Sequence, residues 1–183
     1  YIEMLHEAIS EISGQEIPEV SDTQIDLSIN AFIPATWILN REEKLDAYKS
    51  ATECSNDHDL TELATDWLNR YGTLPKPVES LIMLMRLKLL SKKCGFNKIK
   101  LKKPNILIET KLKKPTFKIL KSSLPDSVQN KFNFEEGEQN SIITIRGLGV
   151  TDIQNQIDQL MLWFGAFLKE INNFDRDLLI KNE

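Results

Sequence analysis

The stretch "ATDWLNRYGTLPKPVESLIMLMRLKLLSKKCG", residues 64–95, contains two predicted helices and the corner between them. Gly72 is typical of a residue just past a helix end, because glycine adopts the left-handed backbone conformation without a Cβ penalty. Pro75 and Pro77 follow, and proline is favoured in the first turn of a helix. Apolar residues then surround nearly all of segment 77–94, which predicts a largely buried helix. The stretch therefore predicts two helices that meet at a stiff turn.

The helix before the corner has a predicted beginning as well as an end. Asp59 is the expected N-cap, and Glu62 stands three residues later, as in a capping box. Apolar residues at helical spacing then predict one buried face. They are Leu60, Leu63, Ala64, Trp67 and Leu68.

Two further elements are predicted upstream. Segment 40–54, "NREEKLDAYKSATEC", begins with Asn40 as the expected N-cap and should turn Leu45 and Tyr48 inward. Segment 23–34 alternates apolar and polar residues, which predicts a strand with one buried face ending at Pro34. The apolar positions are Ile25, Leu27, Ile29 and Ala31.

The rest of the chain mixes helices and strands without strict alternation. The patterns predict a helix at 1–14, two strands in 96–112 with a turn at 104–105, one or two short helices in 116–132, a hairpin in 131–147 and a helix at 151–174 with Thr151 and Gln154 as its capping box. This order predicts the α+β class. We expect one compact domain at 1–174, with a small, mainly antiparallel sheet packed with helices, and a frayed charged tail at 175–183.

Composition is ordinary for a globular protein, with 41% apolar and 27% charged residues in 183. No apolar run reaches the ~18–20 residues that span a bilayer. We expect no signal peptide, because the first residues are acidic and amphipathic. The two cysteines, Cys54 and Cys94, form no paired motif, which favours a reducing, cytoplasmic setting. The sequence begins at Tyr1 rather than Met, and we interpret it as a fragment of a larger protein.

Motifs for metal or nucleotide chemistry are incomplete. "HEAIS" begins like a zinc-protease motif but has Ser10 where the second histidine belongs. Cys54 and His58 have no second Cys/His pair to complete a zinc shell. "ITIRGLGVTDI" places G-x-G between a strand and a helix, but Asp152 stands where a dinucleotide fingerprint has its third glycine. A tight turn is the favoured interpretation of that pattern.

Charge is unevenly distributed along the chain. Segment 86–121 contains thirteen Lys/Arg and one acid, Glu109, although the net charge of the chain is −4. Three interpretations remain open: a solvated face that guards sheet edges, a docking site for an acidic protein, or a nucleic-acid surface. Only Phe96 and Phe117 interleave with the lysines, which is little for base stacking.

Three polar side chains stand beside the corner: Asp66, Asn69 and Arg70. Asp66 and Arg70 are four residues apart, so on a helix they form at least an exposed intrahelical ion pair. Such a pair typically stabilises a helix by roughly a few tenths of a kcal/mol. The alternative is a docking site, because a rigidly held arginine fork beside an acceptor suits charged recognition.

The chain resembles the C-terminal domain of the bacterial transcription-repair coupling factor family. The resemblance lies in "YIEMLHEAI", "INAFIP", Trp37-Ile38, "LDAYK" and above all "DWLNRYGTLP", and it covers residues 1–110 well. In that family the last stretch reads E-L-x-D-R-F-G-x-L-P. Its docking residues correspond to Asp66, Asn69 and Arg70, so one acid is shortened and the other is replaced by an amide.

The resemblance implies an autoinhibitory interaction domain. The parent would be an ATP-dependent DNA translocase that displaces stalled RNA polymerase and recruits the damage-recognition subunit of nucleotide excision repair. This domain would dock on an N-terminal excision-repair-like module of the same parent and mask its recruitment surface. It would hold no cofactor itself, while the parent would use ATP and Mg²⁺.

Two other functions are weighed against this one. The alternative is an accessory nucleic-acid-binding domain that uses segment 86–121. A stand-alone enzyme has the least support, because no convergent acid–base or nucleophile set can be identified in the sequence.

Overall fold

The computed structural model describes residues 16–181, except for the side chains at 175, 177–179 and 181. The helix predicted at 1–14 lies outside the described residues. The strands are β1 (Gln24–Asp26), β2 (Phe96–Lys102), β3 (Asn105–Thr110), β4 (Phe132–Glu135) and β5 (Ser141–Ile145). The helices are α1 (Arg41–Glu53), α2 (Asp57–Tyr71), α3 (Lys76–Lys93), α4 (Lys114–Ser122), α5 (Asp126–Gln129) and α6 (Ile153–Lys181), with a 3₁₀ turn at Leu148–Val150.

The five strands form one mixed sheet in the order β1-β2-β3-β5-β4. Only the β1–β2 pair is parallel, and the other three pairs are antiparallel. The predicted α+β class with a mainly antiparallel sheet is therefore confirmed. Within the described residues, no helix is long and apolar enough to cross a membrane.

The chain groups into two compact units. The first unit comprises Tyr1–Leu27 and Leu90–Glu183, and the second comprises Ser28–Leu89. The sheet belongs to the first unit, together with α4, α5 and α6. Helices α1 and α2 belong to the second, and α3 begins in the second unit and ends in the first.

Aromatic packing joins the sheet of the first unit to α6. Phe96 on β2 lies 4.8 Å from Phe164 on α6, centroid to centroid, in an edge-to-face arrangement. Phe132 on β4 lies 6.0 Å from Phe167, one turn further along. Such pairs add about 0.5–1.5 kcal/mol each beyond the apolar area they bury. The apolar stripe that predicted α6 is thus the stripe that covers the sheet.

The second unit has its own small core. Trp67 on α2 is 1% exposed and Val78 on α3 is fully buried, and they pack in one cluster with two alanines of α1, Ala47 and Ala51. Small side chains let a helix approach its neighbours closely, so α1 contributes alanines where larger residues would hold it away. Tyr48 is half-buried, and its hydroxyl accepts a 2.8 Å hydrogen bond from the Ile33 backbone N–H.

Two large apolar residues predicted to face inward are exposed. Leu45 on α1 is 56% exposed and Leu68 on α2 is 48% exposed, so both assignments were wrong. The strand predicted over 23–34 is also shorter than expected, because only Gln24–Asp26 pairs with β2. Half-buried and exposed residues still alternate from Ile25 to Ala31. The alternation of apolar and polar residues therefore predicted which side of this segment is buried, but it did not predict which residues pair with the sheet.

Of the three N-caps predicted from the sequence, one is correct. Asn40 caps α1, since its Oδ1 accepts a 3.0 Å bond from Glu43 N–H. For α2 the cap is Asn56, three residues before the predicted Asp59, and Asn56 Oδ1 accepts from Asp59 N–H at 2.8 Å. The Asp59 carboxylate instead accepts from the backbone and hydroxyl of Ser55, and these bonds lower its pKa.

The beginning of α6 also differs from the prediction. Asp152 Oδ1 accepts the Asn155 N–H at 2.8 Å, whereas the Thr151 hydroxyl donates back to the Leu148 carbonyl. An aspartate one residue downstream thus replaces the predicted Thr151–Gln154 box. Helix α6 continues to Lys181, past the predicted end at 174. The fraying expected for residues 175–183 stays a prediction.

The corner between α2 and α3 depends on Gly72. Its φ is +88°, as the sequence indicated, but its ψ of −169° is extended rather than left-handed helical. This region of backbone space is essentially restricted to glycine. The Gly72 N–H donates to Leu68 O at 3.0 Å, and α3 begins at Lys76 with its N-terminal turn bonded to the Pro75 carbonyl. As predicted, α3 is largely buried; between 77 and 91 only Glu79 is exposed.

The G-x-G between β5 and α6 is a tight turn, as favoured. Gly147 has φ +78°, and its N–H donates to Asn105 Oδ1 at 3.1 Å. A Cβ at Gly149 would lie 2.5 Å from the Asn105 carbonyl oxygen, so this glycine lets the turn pack on the β2–β3 hairpin. The positive φ of Gly147 and the close packing of Gly149 account for both glycines without a nucleotide.

Truncating the buried indole of α2 should destabilise the chain strongly. For Trp67→Ala we expect a loss of about 3–5 kcal/mol in the free energy of unfolding, the range for large aromatic deletions in cores. The matched control is Leu45→Ala, which should change stability by less than about 0.5 kcal/mol because Leu45 is exposed. Urea unfolding followed by tryptophan fluorescence and circular dichroism measures both. Equal effects of the two variants would contradict the packing.

Two glycine-to-alanine changes should have opposite signs. Gly72→Ala should cost about 1–3 kcal/mol because alanine is strained at this φ, although nothing lies within 4 Å of the added Cβ. Gly165→Ala, at an exposed position inside α6 with equal space, should stabilise the chain by about 0.5–1 kcal/mol. Thermal and urea unfolding of both variants test this. A stabilised Gly72→Ala would show that the corner is not conformationally constrained.

Candidate protein interface

The three predicted interface residues lie on the last two turns of α2, in the second unit. Asp66, Asn69 and Arg70 are all exposed. At 3.6 residues per turn they occupy one flank of the helix, about 60–160° around the axis from Trp67. Because Trp67 is buried, this flank must face away from the core of the unit. The structure therefore brings the three residues together on one surface, as the sequence predicted.

Arg70 and Asp66 form an ion pair along the helix. Arg70 Nη1 lies 3.4 Å from Asp66 Oδ2, and the two side chains are 56% and 52% exposed. The pKa of Arg70 is raised, first by this hydrogen bond and then by Tyr71. A pair this exposed adds little to stability, because water screens it and two long side chains must be ordered. Its significance is geometric, because it restricts the direction of the guanidinium.

An aromatic stack supports the arginine from below. The Arg70 guanidinium carbon lies 5.0 Å above the ring of Tyr71, within cation–π range. Tyr71 packs on Trp37 with ring centroids 5.3 Å apart, and Trp37 lies edge-to-face on Trp67 at 6.0 Å. The exposed charge is thus connected through three rings to the core. The sequence analysis did not assign Tyr71 and Trp37 to the interface. The available signal was for Tyr71, an aromatic residue directly after the arginine at the end of a helix.

Asn69 contributes an uncharged donor and acceptor to the same flank. Its side chain is exposed and makes no hydrogen bond with any other described residue. The three side chains are therefore one acid, one base and one amide, and their summed formal charge is zero. They can accept a hydrogen bond, donate several, and present a guanidinium fork to a carboxylate.

The opposite flank of α2 borders a shallow groove within the second unit. The groove has a volume of about 350 Å³, and exposed Leu68 lies on its wall. At one end Arg86 donates to Asp57 and Thr61, so this cation is already paired. The lining residues are Thr61, Ala64, Thr65, Leu68, Thr73, Leu74, Glu79 and Arg86. Glu79 and Arg86 are the two charged members of this lining.

Cys54 and His58 each interact with a different residue. Cys54 is half-buried, its thiol donates to Ser50 O at 3.4 Å, and burial raises its pKa. His58 Nε2 lies 3.1 Å from Glu62 Oε1. Among the residues that the structure describes, no group of three or more His, Cys, Asp or Glu side chains could hold a metal ion.

The basic segment 86–121 does not form one continuous surface. On β2, Lys98 is opposite Glu109 of β3, and Lys100 Nζ lies 3.8 Å from the Glu109 carboxylate. Lys102 and Lys103 lie at the turn that joins β2 to β3, whereas Lys111 follows the other end of β3. The lysines on and beside these strands are therefore divided between the two ends of the sheet. Between the ends, Glu109 partly neutralises Lys98 and Lys100.

Comparison with known proteins gives a consistent result. A family model described as the TRCF domain matches residues 27–119, which is 93 of 183 residues and includes the whole candidate interface. The transcription-repair-coupling factor of Bacillus subtilis (strain 168) is 35% identical over 89 residues, 48% of this chain and 8% of that protein. The corresponding protein of Borreliella burgdorferi is 28% identical over 111 residues, 61% of this chain and 10% of that protein. The chain thus matches about a tenth of the length of these relatives.

A solved structure shows the same fold. The crystal structure of a C-terminal domain of transcription-repair coupling factor superposes with a TM-score of 0.65 at 17% identity, covering 83% of this chain and 95% of that one. The resemblance inferred from "DWLNRYGTLP" and its neighbours is thereby confirmed. Because the family model covers more than half of its residues, the chain belongs to the TRCF domain family.

Proposed function

We propose that this chain is a regulatory interaction domain of a transcription-repair coupling factor. It docks on the N-terminal excision-repair-like module of the same parent protein and masks the surface used to recruit the damage-recognition subunit. The parent acts on DNA and stalled RNA polymerase in the cytoplasm with ATP and Mg²⁺, and this chain supplies regulation rather than catalysis. Membership of the TRCF domain family and the C-terminal fold support the proposal.

The stacked position of Arg70 is the observation on which the proposal rests. A lysine or arginine on an open surface normally samples many rotamers, and binding must order it at a cost of about 0.5–1.5 kcal/mol. Arg70 is already held by Asp66 on one side and by the Tyr71 ring beneath it. Its fork is therefore preorganised while it stays more than half exposed. That combination favours recognition of a carboxylate on another surface.

The energy that such a clamp needs is small. Coupling of about 1–3 kcal/mol between two sites changes the affinity of a second partner 5–150-fold. One charge-assisted contact that becomes buried on docking supplies this amount, since removing one partner of such a pair typically costs about 2–5 kcal/mol. A surface of three polar side chains is thus sufficient to regulate recruitment.

Reversing the charge of Arg70 should abolish docking without unfolding the chain. We expect Arg70→Glu to weaken binding to the separately expressed N-terminal module at least tenfold, because a repulsion replaces the contact. The free energy of unfolding should stay nearly unchanged, since the pair with Asp66 is exposed. Isothermal titration calorimetry measures the binding, and urea unfolding measures the stability.

Lys49→Glu is the matched control for this experiment. Lys49 is an exposed cation on α1 of the same unit, so its reversal changes the net charge equally. We expect its binding to match that of the unchanged chain. If both variants weaken binding alike, net charge rather than the corner is responsible. If neither does, Asp66, Asn69 and Arg70 are not the interface.

Restoring the acid of the family motif should strengthen docking. Asn69→Asp returns the negative charge at the position where the family has aspartate, and we expect several-fold tighter binding if the partner keeps a base opposite it. The same calorimetric titration tests this, with Asn69→Ser as an uncharged control. Weaker binding of Asn69→Asp would show that the partner surface has changed to suit the amide.

A further inference from the structure

Three cations from three strands line up at the turn end of the sheet. The last row of the core-facing side of the sheet is Leu101, Ile106, Ile145 and Phe132, aligned by strand register; Leu101 is half-buried and the other three are buried. Successive residues of a strand alternate between faces, so the next row belongs to the opposite face. That row contains Lys102, Asn105, Arg146 and Lys131, which we call the sheet-end row.

Backbone contacts fix this alignment. Lys102 is in register with Asn105. The Asn105 side chain accepts from the Gly147 N–H at 3.1 Å, which places the end of β5 beside the hairpin turn. The Arg146 N–H donates to the Lys131 carbonyl at 2.8 Å, which continues the β4–β5 ladder by one step. Three strand spacings of about 4.8 Å separate the outer members, so the row is about 14 Å wide.

The cations of the row are exposed and lack acidic partners. Lys102, Lys131 and Arg146 are all exposed, as is Lys103 in the adjacent turn. In the part of the chain that the structure describes, none of the four forms an ion pair with a carboxylate. The Arg146 guanidinium donates to the Asn130 carbonyl, which orients it without neutralising it. Like charges gathered in this way repel one another unless an anion lies across them.

The other end of the sheet has a different composition. Lys111, Lys113 and Lys114 follow β3 there. Glu135 ends β4 at the same end, because Thr110 pairs with Ser141 and Glu135 pairs with Ile142. Glu136 and Glu138 follow in the loop to β5. Acids therefore accompany the lysines at that end, whereas the sheet-end row has none.

We propose that the sheet-end row binds the phosphate backbone of duplex DNA. A width of about 14 Å corresponds to about four phosphates on one strand of B-DNA, at 3.4 Å of axis per phosphate. The three exposed cations of the row, with Lys103 beside them, match a line of phosphates over that distance. The row includes Lys131 and Arg146, which lie outside the basic segment of the sequence, and excludes the lysines at 111–114.

The composition of the row favours a duplex over the other anionic partners. No member is aromatic, so unpaired bases would find no ring on which to stack. A protein interface is usually anchored by a buried aromatic or large apolar side chain. The nearby candidate is Val150, which is 66% exposed but small. Contact with phosphates alone predicts binding without sequence preference and with strong dependence on salt.

The test compares two triple variants of the 183-residue chain with equal loss of charge. Lys102→Gln/Lys131→Gln/Arg146→Gln removes the row, and Lys111→Gln/Lys113→Gln/Lys114→Gln removes three cations at the other end. Fluorescence anisotropy with a labelled duplex of about 20 base pairs gives the affinity from about 20 to 200 mM salt. We expect the slope of log K against log salt to fall by about 2.7 in the first variant, about 0.9 for each phosphate that is no longer neutralised. It should stay unchanged in the second.

Each outcome decides the proposal. No binding of the unchanged chain at the lowest salt overturns it, as does an equal effect of the two triple variants. Equally tight binding of poly-glutamate would assign the row to an acidic protein instead of DNA. Because Arg146 also supports the Asn130 carbonyl, Lys102→Gln/Lys103→Gln serves as a second variant that leaves this hydrogen bond intact. It should lower the slope by about 1.8, for two phosphates.

Discussion

The buried indole of Trp67 sets the rotation of α2 about its own axis, and the surfaces of the second unit depend on that rotation. With Trp67 directed into the core, Asp66, Asn69 and Arg70 occupy one flank of the helix. Thr65 and Leu68 occupy the other flank, beside the groove. A single buried side chain therefore separates a charged flank of α2 from an uncharged one. Gly72 ends the helix about one turn after Trp67. Both flanks therefore lie at the C-terminal end of α2.

How much of this could be predicted depended on how local the determining interaction is. The Gly-Pro corner, the apolar stripe of α6 and the two hairpins were predictable, because each is specified by neighbouring residues. The assignments of Leu45 and Leu68 failed because helical spacing defines a face only to about one residue in width. Tertiary packing selected the alanines of α1 and the indole of α2 for the core. Trp67 was predicted to lie on the buried face of α2, whereas the local sequence contains no signal that selects the alanines of α1 over Leu45.

The helix caps show a second kind of limit. Three residues near the beginning of α2 are of types that favour the N-cap position: Asn56, Asp57 and Asp59. In the structure the N-cap is Asn56. The choice was settled by Ser55, whose backbone and hydroxyl bonds engage the Asp59 carboxylate. Long-range placement was harder still. A count of lysines along the chain identified segment 86–121, but strand register divides that segment and adds Lys131 and Arg146 from elsewhere.

The pair between Asp66 and Arg70 does not have to break for the corner to bind a partner. A guanidinium has five N–H donors, and Asp66 engages it through one nitrogen while the Tyr71 ring covers one face. Donors on the other nitrogens remain for a carboxylate in the plane of the fork. With an amide at position 69, Arg70 has one fewer acid competing for it than the family motif would provide. The replacement thus removes a partner for a base on the opposing surface while leaving the arginine freer to bind an acid. We therefore expect partner binding at this corner to depend on Arg70 more than partner binding through the family motif does.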